Sequence, residues 1–257
     1  PRTVSFTGGR ATGERIARDA GLKKLSMELG SNAPAIVLPD ADLDAAVAAC
    51  VAGAYAAAGQ NCLHVQRLLL HRDVAGAFTE AFVAGARGVT TGPKLDEATD
   101  MGPMIDERAA LRVESMVQDA RAAGATVLTG GERRGTVLAP TVVADVPLGH
   151  PLDVDEVYGP VTVVRTFEDP SEAVARANAV DFGLQAGLFT RDLDAAFAVA
   201  EGLRYGGVVV NDSSDYRIDA MPFGGVKGSG LGREGVRYAM EAMTEPKLVC
   251  FALSSRQ

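Results

Sequence analysis

The stretch Asn32-Ala33-Pro34-Ala35-Ile36-Val37-Leu38-Pro39-Asp40-Ala41-Asp42-Leu43-Asp44, with the alanine-rich run to Gly59, the turn Gln60-Asn61-Cys62 and the apolar run Val65–His71, decides the fold class. Ala35–Leu38 is short and apolar, which predicts a strand. Asp40 to Asp44 place carboxylates at the front of a long helix, where they complement its dipole. That helix is expected to end near Gly59, and Val65–His71 to form the next strand. Strand, helix and strand in succession predict an α/β fold with a largely parallel sheet flanked by helices.

The same alternation extends in both directions. Upstream, a strand at Thr3–Thr7 runs through Gly8-Gly9 into a helix near Ala11–Ala20, and a short strand follows at Leu25–Leu29. Downstream, Asp73–Arg87 reads as an amphipathic helix, Gly88–Pro103 as a loop, and Asp106–Gly124 as a helix with Val113, Met116 and Val117 at helical spacing. Strands are expected at Thr126–Leu128, Leu138–Val143, Val161–Phe167, Ala186–Thr190 and Val208–Asn211, with helices at Pro170–Val180 and Asp192–Arg204. Asn211 to Gly232 reads as a long glycine-rich loop. A helix at Arg233–Met243 and a terminal strand at Lys247–Leu253 complete the pattern.

Composition narrows the class of function. The 257 residues are 47% hydrophobic and 23% charged, in the range of ordinary globular proteins. A formal net charge of −8 argues against a nucleic-acid partner, because a phosphate backbone attracts clustered Lys and Arg. The longest apolar stretches are glycine-interrupted and too short to span a bilayer. Cys50, Cys62 and Cys250 give neither a disulfide framework nor a CxxC spacing, which sets a reducing, cytoplasmic location as the default. His64, His71 and His150 form no metal-binding pattern, so no metal is expected. A strand beginning at Thr3 needs neighbours for its backbone groups, so the sequence is expected to be a piece of a longer chain.

Cys62 stands apart from the other two cysteines. Cys50 lies in the apolar run Ala48-Ala49-Cys50-Val51 and Cys250 in Leu248-Val249-Cys250-Phe251, whereas Cys62 sits in a polar turn where a thiolate is accessible. Glu28 ends a short hydrophobic segment, Leu25-Ser26-Met27. It is either an edge-strand residue facing water or a buried carboxylate. Burial would raise its pKa toward the range of a general base.

Six motifs then bear on the family. Phe6-Thr7-Gly8-Gly9, Glu28-Leu29-Gly30, Asp40-Ala41-Asp42-Leu43-Asp44, Gly59-Gln60-Asn61-Cys62, Glu156-Val157-Tyr158-Gly159-Pro160 and Pro222-Phe223-Gly224-Gly225-Val226-Lys227-Gly228-Ser229-Gly230 resemble, in order, those of the aldehyde dehydrogenase superfamily. The resemblance runs from residue 4 to about residue 250. It implies an NAD- or NADP-dependent oxidation in which Cys62 adds to an aldehyde, hydride passes to the nicotinamide, and Glu28 activates water to hydrolyse the thioester. It further implies that Gly8, Gly9, Leu29, Glu156 and Tyr158 lie at the cofactor and that Phe223 lines the substrate tunnel. Two departures stand out: Gly9 replaces a frequent Ser, and Ser31 a usual Gly. The main dinucleotide-binding segment and an oxyanion-hole Asn of the family are expected upstream of Pro1.

The loop Asn211–Phe223 resembles that of members acting on small anionic or hydroxylated aldehydes such as lactaldehyde, sulfoacetaldehyde and phosphonate-bearing aldehydes. Arg217 is either a partner for an acidic head group or the partner of Asp215 or Asp219. His64 is either a second substrate contact or a residue facing solvent or core. Asn61, next to Cys62, is an uncharged candidate contact. The domain reading is residues 1–29 as the edge of a cofactor-binding domain, 30–246 as a catalytic domain, and 247–257 as an oligomerisation strand and tail. That strand implies a homodimer or homotetramer. Two alternatives stay open, a CoA-acylating semialdehyde dehydrogenase, which Glu28 disfavours, and an inactive or structural fragment.

Overall fold

The computed structural model describes residues 1–253. In chain order the elements are β1 (Thr3–Thr7), α1 (Arg10–Ala20), β2 (Lys24–Glu28), β3 (Ala33–Val37), α2 (Leu43–Tyr55), β4 (Val65–His71), α3 (Arg72–Gly88) and α4 (Glu107–Ala122). They continue with β5 (Thr126–Thr129), β6 (Arg133–Arg134), β7 (Val137–Leu138), β8 (Thr141–Ala144), α5 (Pro151–Val154), β9 (Val161–Phe167) and α6 (Pro170–Asn178). The last are β10 (Gln185–Phe189), α7 (Leu193–Gly202), β11 (Gly207–Val210), β12 (Gly230–Leu231) and α8 (Val236–Met243).

A seven-stranded sheet in the order β11-β10-β3-β4-β9-β8-β5 forms the body. Every pairing in it is parallel except β5 with β8. The α/β fold with a largely parallel sheet flanked by helices is therefore what the chain adopts. Successive side chains of a strand point to opposite faces, and β3 and β4 show it. Ala35, Val37, Leu68 and Leu70 pack with α2, α3 and α4 residues such as Cys50, Phe78, Phe82 and Val113. Ile36 and Leu69 pack on the other face with Ala173 and Ala177 of α6 and Ala196 and Val199 of α7. Both faces are covered, which is why these strands read as continuous apolar runs rather than alternating ones.

A second, three-stranded sheet holds β1, β2 and β12, with β1 and β2 parallel and β12 antiparallel to β2. The chain passes from one sheet to the other at Leu29–Asn32, and Gly230-Leu231 later returns to the first. The expected glycine-rich loop therefore contains a 3-10 turn, Lys227–Ser229, and a short strand, and the helix after it starts at Val236 rather than Arg233.

Three further expectations need correction. The expected strand Leu138–Val143 is two strands, because Pro140 has no N–H to give a ladder: β7 pairs with β6, and β8 joins the main sheet. Helix α2 stops at Tyr55, and Ala57, Ala58 and Gly59 follow at φ 50, 57 and 66. Left-handed backbone costs an alanine about 1–2 kcal/mol, so the turn leading to Cys62 is held in place by its surroundings. Finally, residues 247–253 form no strand; Leu248 is 91% and Phe251 80% exposed. A strand is defined by its ladder partner, and no segment among the described residues supplies one. Cys250 is correspondingly exposed rather than buried in a strand. The remainder of the expected tail, 254–257, lies outside the described residues.

Candidate active site

Because β3, β4 and β9 are parallel neighbours, the segments that precede them meet at one edge of the main sheet. These segments carry Gly30-Ser31-Asn32, Cys62 and Glu156. The second sheet aims the C-terminal ends of β1 and β2, with Thr7 and Glu28, at the same edge. Between them lies a cavity of about 510 Å³ lined by Gly8, Gly9, Glu28, Cys62, Glu156 and Tyr158, with Gly30, Gln60 and Asn61 completing the wall.

Cys62 occupies a turn closed by the Asn61 side chain, whose Oδ1 accepts from the Leu63 N–H at 2.7 Å. The thiol is half-buried and packs against Leu63, Leu184 and Phe223. It lies within hydrogen-bonding reach of the Glu28 carboxyl. Glu28 is only 5% exposed, and its Oε1 has no hydrogen-bond partner. Burial pushes its pKa up to about 7, against the hydrogen bond from Cys62, which lowers it. The thiol itself is pushed up to about 12, first by burial and then by the charge of Glu28. A stabilised thiolate was the sequence-based expectation; burial and the neighbouring Glu28 carboxyl instead favour the protonated thiol.

Glu156 accepts from the Ser31 N–H at 2.8 Å, and burial raises its pKa to about 7 with Arg112 opposing. Gly30 adopts φ +93, and a Cβ there would lie 2.5 Å from Glu156 Oε2, so no other residue leaves that carboxylate in place. Tyr158 stands at φ 48, half-exposed at the mouth of the cavity. Gly9 caps α1 without a side-chain hydrogen bond, and the first turn of α1 holds no acidic residue. Its leading N–H groups are thus free to meet an anion. A diphosphate-bearing nucleotide suits this wall: free helix N–H groups at one end, and at the other a buried carboxylate able to accept hydroxyl hydrogen bonds.

Three sequence-predicted residues lie elsewhere. Leu29 is buried with its side chain against Gly13 of α1 and donates its N–H to the Ser229 carbonyl. His64 is 4% exposed, its pKa lowered by burial to about 3, and lies under the cavity beside Gly59 instead of lining it. Arg217 lines a separate cavity of about 350 Å³ with Asp219, Arg233 and Glu234. Its partner is Glu234, at 2.9 Å, rather than Asp215 or Asp219. Its guanidinium also stacks 4.0 Å over the Phe223 ring, which links it to the packing around Cys62.

Sequence reasoning passed over Gln60, Asn32, Gln66 and Arg112. Gln60 lines the cavity while its Oε1 accepts from the Ile105 N–H at 2.8 Å, tying the 93–105 loop to the Cys62 turn. The signal for Gln66 was present, a polar amide inside the apolar run Val65–His71. Among the described residues, no cluster of three His, Cys, Asp or Glu side chains forms a metal site, and no helix is long and apolar enough to cross a membrane.

Residues 1–249 match the profile of the Aldehyde dehydrogenase family. The chain is 52% identical over 249 residues to aspartate-semialdehyde dehydrogenase 1 of Pseudomonas canavaninivorans, covering 97% of this chain and 53% of that protein. It is 41% identical over 246 residues to lactaldehyde dehydrogenase of Methanococcus maripaludis, covering 96% and 53%. Among solved structures, glyceraldehyde-3-phosphate dehydrogenase from Methanocaldococcus jannaschii, complexed with NADP, superposes with a TM-score of 0.92 at 43% identity, over 94% of this chain and 53% of that one. The chain thus spans about half the length of the curated relatives it matches.

Proposed function

This chain belongs to the aldehyde dehydrogenase family, and from that premise we propose that it is the catalytic part of an enzyme oxidising a small aldehyde to a carboxylic acid with NAD or NADP. The observation that carries the reading is the Cys62 thiol beside a buried Glu28 whose pKa is near 7. As the sulfur adds to the aldehyde carbon, Glu28 takes the thiol proton, so the nucleophile is generated only when it is used. The product is a thiohemiacetal on Cys62. A nicotinamide bound here would supply the hydride acceptor by which the alkoxide form of this adduct becomes a thioester. Glu28 releases the thiol proton to solvent, takes a proton from the water that attacks the acyl carbon, and returns that proton to the sulfur as the carboxylic acid leaves and the thiol is restored. Glu156 would accept hydrogen bonds from the ribose hydroxyls of a bound cofactor, Gly8 and Gly9 would bring the N-terminus of α1 to its phosphates, and Tyr158 would flank the ribose. Asn61 and Phe223 border the aldehyde.

A small anionic or hydroxylated substrate is favoured by Arg217, whose guanidinium reaches Phe223 and is satisfied by a carboxylate, Glu234. An acidic head group competes with Glu234 for it. The named relatives act on aldehydes of this size and polarity. Residues 1–29 serve as the edge of a cofactor-binding domain and 30–246 as the catalytic domain. Leu248, Val249, Phe251 and Leu253, all exposed, become a strand by pairing with a second copy, giving a homodimer or homotetramer in a reducing, cytoplasmic setting. The test is NAD(P)H formation with short semialdehydes and hydroxyaldehydes, with and without CoA. Cys62→Ser is expected to abolish it, and Glu28→Gln to accumulate a thioester on Cys62 visible by mass spectrometry. Full activity in Cys62→Ser, or turnover strictly dependent on CoA, sinks the proposal.

A further inference from the structure

We propose that Gln66 is a positioning residue for Glu156, so that the strand following the nucleophile also aims the carboxylate that holds the cofactor. The proposal rests on the reading of Glu156 given above. Gln66 is 1% exposed, four residues after Cys62 at the start of the central strand β4. Its side chain straddles Glu156: Nε2 donates to the Asp155 carbonyl at 2.7 Å, and Oε1 accepts from the Val157 N–H at 2.9 Å. One amide thus binds the residue on each side of Glu156, as a neighbouring strand would, and fixes which way the intervening side chain points. Asn32, fully buried at the head of β3, adds bonds from Nδ2 to the Asp153 and Asp155 carbonyls, both at 3.0 Å. Arg112 holds the Val157 carbonyl from α4.

The arrangement is over-determined for a loop that only needs to connect α5 to β9. A loop usually runs over the surface and meets water; this one receives two buried amides and a guanidinium within five residues, and the single side chain framed by them faces the cavity. The register makes the consequence specific. Gln66 and Cys62 are joined by three residues of turn and strand, so any displacement of β4 moves the nucleophile and the Glu156 carboxylate together. The distance between the reacting sulfur and the cofactor's ribose is set by one strand rather than by two independent loops.

The test is a double-mutant cycle on the protein that carries this chain, with Gln66→Met, which keeps the length of the side chain and removes both bonds, and Glu156→Ala. Gln66→Met is expected to weaken NAD(P)H binding about tenfold by nicotinamide fluorescence titration and to raise the KM for NAD(P) to match, as misplacement of a binding group by a fraction of an ångström does, with kcat at saturating cofactor within about threefold. In the Glu156→Ala background the same substitution is expected to add less than about twofold, because coupled residues are non-additive. An unchanged KM in Gln66→Met overturns the proposal, and so does a tenfold effect that persists without Glu156. If Glu156→Ala alone leaves the cofactor KM unchanged, the reading beneath the proposal fails instead. Gln66→Glu keeps the acceptor for Val157 and sets a carboxylate against the Asp155 carbonyl. It is expected to move KM the same way, and it decides the matter if the Met variant does not fold.

Discussion

Replacing Glu28 by Gln is expected to make the protein more stable while removing its base. The ionised carboxylate is buried with one oxygen unpartnered, and its pKa is displaced from 4.5 to about 7. At about 1.4 kcal/mol for each tenfold in proton affinity, that displacement costs the folded state about 3 kcal/mol once the group is fully charged. The sign follows from proton counting. The folded chain holds this proton more tightly than the unfolded chain, so between pH 4.5 and 7 it carries more protons, and its stability falls as pH rises. Above pH 7 the loss is complete and constant. Glutamine has the same shape, can still accept from Cys62, and never charges. Urea unfolding of Glu28→Gln should therefore show a gain of about 3 kcal/mol at pH 8, shrinking through the window from 7 to 4.5 and vanishing below it. A loss of stability at pH 8, or a gain of equal size at pH 4 and pH 8, would refute the reasoning. The first would mean that the carboxylate is supported by its surroundings, and the second that the effect is one of packing. Stability given up at a position proposed to serve as the base is a common trade.

Other consequences can be checked separately. Glu156 is charged only above about pH 7, and only the carboxylate accepts two hydroxyl hydrogen bonds. Cofactor affinity by nicotinamide fluorescence should thus rise about tenfold per pH unit up to 7 and then level off, while Glu156→Gln should show a flat profile. Brief iodoacetamide treatment at neutral pH should leave buried Cys50 unlabelled. Cys62 should label slowly, and faster in Glu28→Gln, where the neighbouring charge that holds its proton is gone; peptide mass mapping reads both, and no acceleration would count against the pairing. Gly30→Ala places a methyl 2.5 Å from the Glu156 carboxylate at φ +93 and should cost about 1–3 kcal/mol by thermal unfolding, with a higher KM for the cofactor.

The local code determined a great deal. Val65–His71 and Val161–Phe167 are strands with the bounds that their largely apolar runs suggest, since a parallel strand covered on both faces is mostly apolar and admits Gln66, Arg67 and Thr162 only with hydrogen-bond partners. Cys62 stood out by its polar turn, and Glu28 by a charge in an apolar segment. Where a residue's neighbours in space come from distant parts of the chain, the sequence was silent. Whether Glu28 faced water or core depended on the approach of β12, more than two hundred residues away. Arg217 found Glu234 rather than the nearer aspartates because the antiparallel contact of Phe223 with Glu234 brings those backbones together. His64, just before β4, is buried against Gly59 rather than facing the cavity. The tail 247–253 shows the opposite limit: its apolar pattern specifies a strand, but a strand forms only against a second edge, and backbone hydrogen bonding is a property of two segments that no single stretch of sequence contains.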